Sequence, residues 1–126
     1  MRNYFAAALA AASLIGMTGC GGGYGGPSPG SVNGQTNAPA GAVVIDILGE
    51  NGAQSFSPNP ASIPAGQMVA WHNRDSITHH VFLNDGAVDT GDIGAGKFSA
   101  AMVLTNPGPY HCTIHPTMVG TAVRGQ

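Results

Sequence analysis

Thiol, imidazole and thioether side chains stand close together in one segment of the 126-residue chain, residues 110–120. Cys112, His115 and Met118 follow a Cys-x2-His-x2-Met pattern there. Soft sulfur ligands beside an imidazole suit copper in a site that serves both oxidation states of the metal. The spacing therefore predicts three ligands of a copper centre. Without these neighbours, Cys112 would be interpreted as a small buried hydrophobic residue, and Met118 as the start of a core strand.

A trigonal copper site with a weak axial thioether needs a second imidazole. His79 and His80 lie side by side in a β-prone segment upstream. Side chains alternate between the two faces of a strand, so His79 shares a face with Val81 and Leu83, and His80 shares the other face with Phe82. If Val81 and Leu83 are in the core, His79 lies at the core-facing end of the strand. This alternation favours His79 as the second imidazole, with His80 as the alternative.

These motifs resemble those of the cupredoxins, most of all amicyanin and plastocyanin. Amicyanin-like proteins have the short Cys-x2-His-x2-Met loop, whereas plastocyanin-like loops are longer between the last His and Met. The upstream match consists of Val69, Trp71, Asn73, Arg74, Asp75, His79 and Val81. It is similar to the amicyanin strand and turn that lead to the first His ligand, and it selects His79 over His80. The resemblance covers roughly residues 42–126.

The resemblance implies an all-β, antiparallel Greek-key β-sandwich of the cupredoxin type, with one type 1 copper just beneath the surface. It also implies that this copper carries single electrons between a donor and an acceptor protein, and that the electrons leave through the edge of the His115 ring. In three places the chain departs from the pattern: His80 stands where Asn is usual, Ile114 where amicyanin has Pro, and Thr117 where amicyanin has Phe. Ile114 restores a backbone N–H that Pro lacks. The sequence leaves open whether this amide reaches the Cys112 sulfur or faces water.

Short apolar runs separated by turn residues predict an all-β sandwich or barrel for residues 42–126. Strands are expected at residues 43–48, 68–73, 78–84, 98–104, 109–112 and 118–124. Pro58 and Pro60 make residues 56–63 an edge or irregular piece. A Gly- and Asp-rich loop is expected at residues 85–96. Trp71 is expected in the core, Asn73 in a turn or in hydrogen bonds near the site, and His72 and His111 outside the ligand set.

The first residues have the pattern of an export signal. A short positive start and an apolar run of about ten residues precede Thr18-Gly19-Cys20, and this run is too short to span a bilayer. The boundary resembles a bacterial lipobox and predicts a signal peptide at residues 1–19 and a lipid on Cys20. Ordinary cleavage of an export signal is the alternative. Residues 21–41 contain eight Gly and three Pro, which predicts a tether at residues 20–41 and a single domain at residues 42–126.

Composition narrows the classes of function. Only 8% of the residues are charged and the net charge is −2, so the chain lacks the basic surface of a nucleic-acid-binding protein. Lipidation of Cys20 and metal binding by Cys112 would occupy both cysteines, with a disulfide between them as the alternative. We expect a monomeric electron carrier anchored on the periplasmic side of a bacterial membrane. A copper buffer or delivery protein is the alternative, and an enzyme with Cys112 as nucleophile and His115 as base is a third hypothesis that we do not favour.

Overall fold

The computed structural model describes residues 34–126 and shows two β-sheets. The nine strands are β1 (Val43–Ile47), β2 (Phe56–Ser57), β3 (Ala61–Ile63), β4 (Met68–Asn73), β5 (His79–Leu83), β6 (Asp89–Ile93), β7 (Met102–Val103), β8 (Pro109–Cys112) and β9 (Val119–Arg124). A 3-10 turn, Gly52–Gln54, follows β1. The all-β prediction is confirmed. The predicted signal peptide and the predicted lipid site at Cys20 lie outside the described residues.

The strand order is β2-β1-β4-β7 in one sheet and β3-β9-β8-β5-β6 in the other. Most neighbours are antiparallel, as expected, but β1 pairs with β4 and β3 pairs with β9 in parallel. Between β2 and β3 the chain passes from the first sheet to the second, so β1 and β4 are not joined by a hairpin. Parallel neighbours need such a crossover connection. The chain then returns to the first sheet, where β4 runs beside β1 in the same direction.

The core lies between the two sheets and is centred on aromatic residues. Tyr110 packs edge-on against Phe56 and Trp71, with ring centroids 4.9 Å and 5.6 Å apart. A Cβ atom at Gly120 would lie 2.4 Å from the Tyr110 ring, so glycine is what allows this ring to fit. Burial raises the pKa of the Tyr110 phenol above its usual range. The inward-facing aliphatic residues fill the remaining space: Ile45, Ile47, Ile63, Val69, Val81, Leu83 and Ile93.

Two predicted segments differ from the structure. Residues 89–93, expected within a loop, form β6 because they pair with β5, with His80 opposite Asp92 and Phe82 opposite Asp89. In the predicted strand at residues 98–104, only Met102–Val103 forms a regular strand. Phe98 instead makes isolated bridges to His72 and to Gln35.

Residues 34–42 contact the outer edge of the first sheet. The backbone N–H of Gln35 donates to the Phe98 carbonyl, and the Phe98 N–H donates to the Gln35 carbonyl, each over 2.8 Å. Gln67 donates from its side chain to the Gly41 carbonyl. The sequence assigns residues 34–41 to the tether, and the boundary at residue 42 stays a prediction. Among the described residues, no helix is long and apolar enough to cross a membrane.

Candidate metal centre

Two neighbouring strands bring His79 and Cys112 to the same end of the sandwich. β5 and β8 are antiparallel, with Val81 opposite Cys112, so the first residue of β5 lies near the last residue of β8. Along β5, His79, Val81 and Leu83 are buried, whereas His80 and Phe82 are only half-buried. The predicted alternation is confirmed, and it turns the His79 side chain into the protein.

The loop after β8 folds back on itself and returns Met118 to Cys112. The Met118 N–H donates to the His115 carbonyl over 2.9 Å, and the Cys112 N–H donates to the Met118 carbonyl over 3.0 Å. The Thr113 N–H donates to the His80 carbonyl over 2.8 Å, which joins the loop to β5. The Met118 side chain is fully buried. Three of the predicted ligand residues are thus fixed by one short, hydrogen-bonded loop.

The geometry of the cluster fits a metal ion. Cys112 Sγ lies 3.7 Å from the Nδ1 atom of His79 and 3.7 Å from that of His115. The three ligand atoms all lie within 4.8 Å of one another. With metal–nitrogen and metal–sulfur bonds of about 2.0 Å and 2.3 Å, two ligands at a trigonal angle are about 3.7 Å apart. The two imidazoles therefore already stand at the distance from the sulfur that one shared ion requires.

Cys112 and His79 are fully buried, whereas His115 is half-exposed. The rings of His79 and His115 have centroids 5.0 Å apart and an interplanar angle of 58°. The backbone N–H of His80 points to Cys112 Sγ at a distance of 3.5 Å. The His80 amide therefore reaches the sulfur, and the Ile114 side chain is exposed on the surface of the loop. Contact of the Ile114 amide with the sulfur stays a prediction.

On the side away from the sulfur, the His79 ring is held by a carboxylate. His79 Nε2 lies 2.9 Å from Asp75 Oδ2. The hydrogen bond from His79 and then the one from the Ser76 N–H hold the pKa of the Asp75 carboxyl below its usual range. Asn73 supports this turn, because its side-chain amide donates to the carbonyls of Ile77 and Ile93 over 2.7 Å and 2.8 Å. The role of Asp75 was not predicted from the sequence, where only its position four residues before His79 pointed to it.

The other histidines are engaged elsewhere. His80 contacts Asp92 over 3.1 Å through Nδ1 and contacts Asp89 through Nε2. The Gly91 N–H, more than His80, holds the pKa of the Asp89 carboxyl below its usual range.

His72 and His111 are half-buried and also have partners of their own. His72 Nδ1 lies 3.0 Å from Asp46 Oδ1, and His111 Nδ1 lies 2.7 Å from Asn84 Oδ1. The structure therefore brings His79 and His115 to Cys112, and holds the rings of His72, His80 and His111 on other side chains.

Solved structures similar to this chain include cupredoxins. Amicyanin from Paracoccus versutus is 26% identical, with a TM-score of 0.58, over 72% of this chain and 89% of that chain. The chain has an amicyanin-like cupredoxin fold. A purple cupredoxin from Nitrosopumilus maritimus is 25% identical, with a TM-score of 0.55, over 66% of this chain and 99% of that chain. No protein-family model and no curated protein matches the chain.

An enzyme is also among the similar structures. The copper-containing nitrite reductase from Thermus scotoductus is 25% identical, with a TM-score of 0.55, over 68% of this chain but only 22% of that chain. Cupredoxin domains therefore occur within enzymes as well as in small proteins. In the present chain, the fold and the cluster of His79, Cys112 and His115 with Met118 support a single type 1 copper site.

Proposed function

We propose that this protein carries single electrons by means of one copper ion, bound by the Nδ1 atoms of His79 and His115, the Cys112 sulfur and the Met118 thioether. The observation that carries the proposal is the convergence of two imidazole nitrogens on one buried thiol, each 3.7 Å from the sulfur, in an amicyanin-like fold. Bound copper would supply one-electron redox chemistry. The protein residues hold the metal and exclude water from it.

The ligand set favours electron transfer over substrate chemistry. Two imidazoles, a thiolate and an axial thioether leave no position on the metal for a substrate. A strand and a hydrogen-bonded loop hold these side chains, which suits a site that must keep its geometry in both oxidation states. His115 is half-exposed, so its ring edge offers the route by which electrons enter and leave.

A copper buffer or delivery protein is the alternative function. Proteins of that class present additional exposed sulfur or imidazole ligands for transfer of the metal. Outside the predicted signal peptide, the two methionines other than Met118 are Met68 and Met102. Met68 begins β4, which runs towards the copper end of the sandwich, and Met102 pairs with Val69. Both methionines therefore lie towards the end of the first sheet that is remote from Cys112, which favours the electron carrier.

The proposal also includes the location of the protein in the cell. A lipid on Cys20 would hold the domain on the periplasmic side of a bacterial membrane, where it would exchange electrons with a donor and an acceptor protein as a monomer. The support is the boundary Thr18-Gly19-Cys20 after an apolar run. Mass spectrometry of the mature protein tests this part. An unmodified Cys20 or a mature N-terminus at another residue would contradict the anchor and leave the copper proposal standing.

Addition of Cu(II) to the purified, metal-free protein tests the copper site. We expect one equivalent to produce an intense blue to purple thiolate charge-transfer band, which Cys112→Ser abolishes. Cys20→Ser is the matched control, because it removes the other cysteine of the chain and should leave the band unchanged. A coloured Cys112→Ser variant would refute the proposed ligand set. Reversible one-electron titration of the coloured protein, with the copper retained in both oxidation states, then tests the carrier function.

A further inference from the structure

His79 is held from both sides of its ring. Nδ1 faces Cys112 Sγ, and Nε2 lies 2.9 Å from Asp75 Oδ2. A neutral imidazole has a single N–H, and an ionised carboxylate can only accept a hydrogen bond. The proton of the ring must therefore be on Nε2, where it is donated to Asp75. This arrangement leaves the lone pair of Nδ1 pointing towards the metal position.

The carboxylate is itself fixed in orientation. Its second oxygen, Oδ1, accepts the Ser76 N–H over 2.7 Å, and the Asp75 N–H donates to Asn73 Oδ1 over 2.9 Å. Asn73 is fully buried and bonded to two further carbonyls. The Asp75 side chain is thus held in place before any metal binds.

We propose that Asp75 is a positioning residue of the copper centre that selects the metal-binding tautomer of His79 and lowers the redox potential of the site. A hydrogen bond from a ligand histidine to a carboxylate makes the imidazole a stronger donor. A stronger donor stabilises Cu(II) more than Cu(I). The His80 N–H on the Cys112 sulfur acts in the opposite direction, because it withdraws electron density from the thiolate. The inference rests on the proposed copper function.

Asp75→Asn tests the electronic part. Asn has nearly the same shape, and its amide oxygen can still accept the His79 N–H, but it carries no charge and its NH2 group cannot accept the Ser76 N–H. We expect the variant to keep its colour while the ratio of Cu(I) affinity to Cu(II) affinity rises about tenfold, which is about 59 mV for one electron. Asp92→Asn is the matched control, because it neutralises a carboxylate bonded to His80, whose ring faces away from the cluster. It should leave the potential unchanged. The proposal would be overturned if the redox potential of Asp75→Asn were unchanged or lowered. It would also be overturned if Asp92→Asn raised the potential by the same amount.

The tautomer can be measured without copper. Long-range proton–nitrogen correlation spectra of the metal-free protein, at a pH above the usual histidine pKa of about 6.5, report which ring nitrogen carries the proton. We expect His79 to be protonated on Nε2 in the unaltered protein and to become a mixture of tautomers in Asp75→Ala. An Nδ1 proton in the unaltered protein, or an unchanged tautomer in Asp75→Ala, would overturn the positioning role. If the protein bound no copper, the proposed function would fail, and this measurement would still decide the role of Asp75.

Discussion

His115 differs from the other three proposed ligands in its exposure. His79, Cys112 and Met118 are fully buried, so His115 is the proposed ligand whose ring is partly exposed to solvent. The copper would be held on three sides by the protein interior and would reach the surface through one imidazole. A partner protein that contacts this end of the sandwich would therefore meet the redox centre through His115.

Exchange of His79 and His80 for alanine distinguishes the two imidazoles. His79→Ala removes a nitrogen that lies 3.7 Å from the sulfur, so we expect the colour to be lost. Cu(II) binding should weaken by more than about 100-fold, which exceeds the effect of losing a residue that only hydrogen-bonds to a ligand. His80→Ala keeps the backbone N–H on the sulfur and should retain the colour. A visible spectrum and a competition titration with a copper chelator measure both effects. Loss of colour in His80→Ala alone would show that the wrong imidazole had been chosen.

The sequence could predict the cluster but not its surroundings. Cys112, His115 and Met118 occupy one short segment, and the alternation along β5 separates His79 from His80, so local rules suffice for them. The contact between Asp75 and His79 depends on a turn that Asn73 holds by bonding to the nearby Ile77 carbonyl and to the distant Ile93 carbonyl. The amide at the sulfur likewise depends on how β5 and β8 lie beside each other. Such contacts arise from tertiary packing, which spacing in the sequence does not record.

For β6, tertiary contacts decide whether a whole strand forms, and the sequence alone does not predict it. Its sequence, Asp-Thr-Gly-Asp-Ile, is rich in turn-forming residues and predicts a loop. It becomes a strand because β5 offers backbone partners along one side, and strand propensity is commonly overridden by such pairing. The strands with strong apolar patterns, β1, β4, β8 and β9, lie within two residues of their predicted bounds.

Asn73 joins β4, the turn before β5 and the end of β6, so its loss should weaken the fold. Asn73→Ala would leave the buried carbonyl of Ile93 and the carbonyl of Ile77 without their donor, and the Asp75 N–H without its acceptor. Unsatisfied buried groups cost about 1–3 kcal/mol each, and we expect the free energy of unfolding to fall by about 3 kcal/mol. Urea denaturation of the metal-free protein measures this change without a contribution from copper.

Asn84→Ala is the matched control, because it removes an exposed bond to His111 and should change stability by less than about 1 kcal/mol. Similar losses of stability in Asn73→Ala and Asn84→Ala would contradict the role of Asn73 in joining β4, the turn and β6.

The first described residues connect the domain to the rest of the chain. Gln35 extends the edge of the first sheet by pairing with Phe98, and Phe98 stacks on His72 with ring centroids 4.0 Å apart. His72 is adjacent to Asn73, the last residue of β4 at the copper end. The chain therefore joins the sheet edge near the copper end. Between Cys20 and Gly34 there are 14 residue steps, which could span at most about 50 Å.

Removal of residues 34–41 should therefore destabilise the domain, even though the sequence assigns them to the tether. A chain that begins at Ala42 lacks both backbone hydrogen bonds to Phe98, each worth about 0.5–1.5 kcal/mol. We expect it to unfold at lower urea concentration than a chain that begins at Gly34, with the free energy of unfolding lower by about 1–3 kcal/mol.

In the chain that begins at Gly34, Gln35→Pro removes the backbone N–H that donates to Phe98 and should give part of this loss of stability. Gln35→Ala keeps both backbone bonds, loses only a 3.4 Å side-chain contact with Ser99, and should change stability by less than about 0.5 kcal/mol. Equal urea midpoints for the two chain lengths would show that these residues are spacer alone, as their composition predicts.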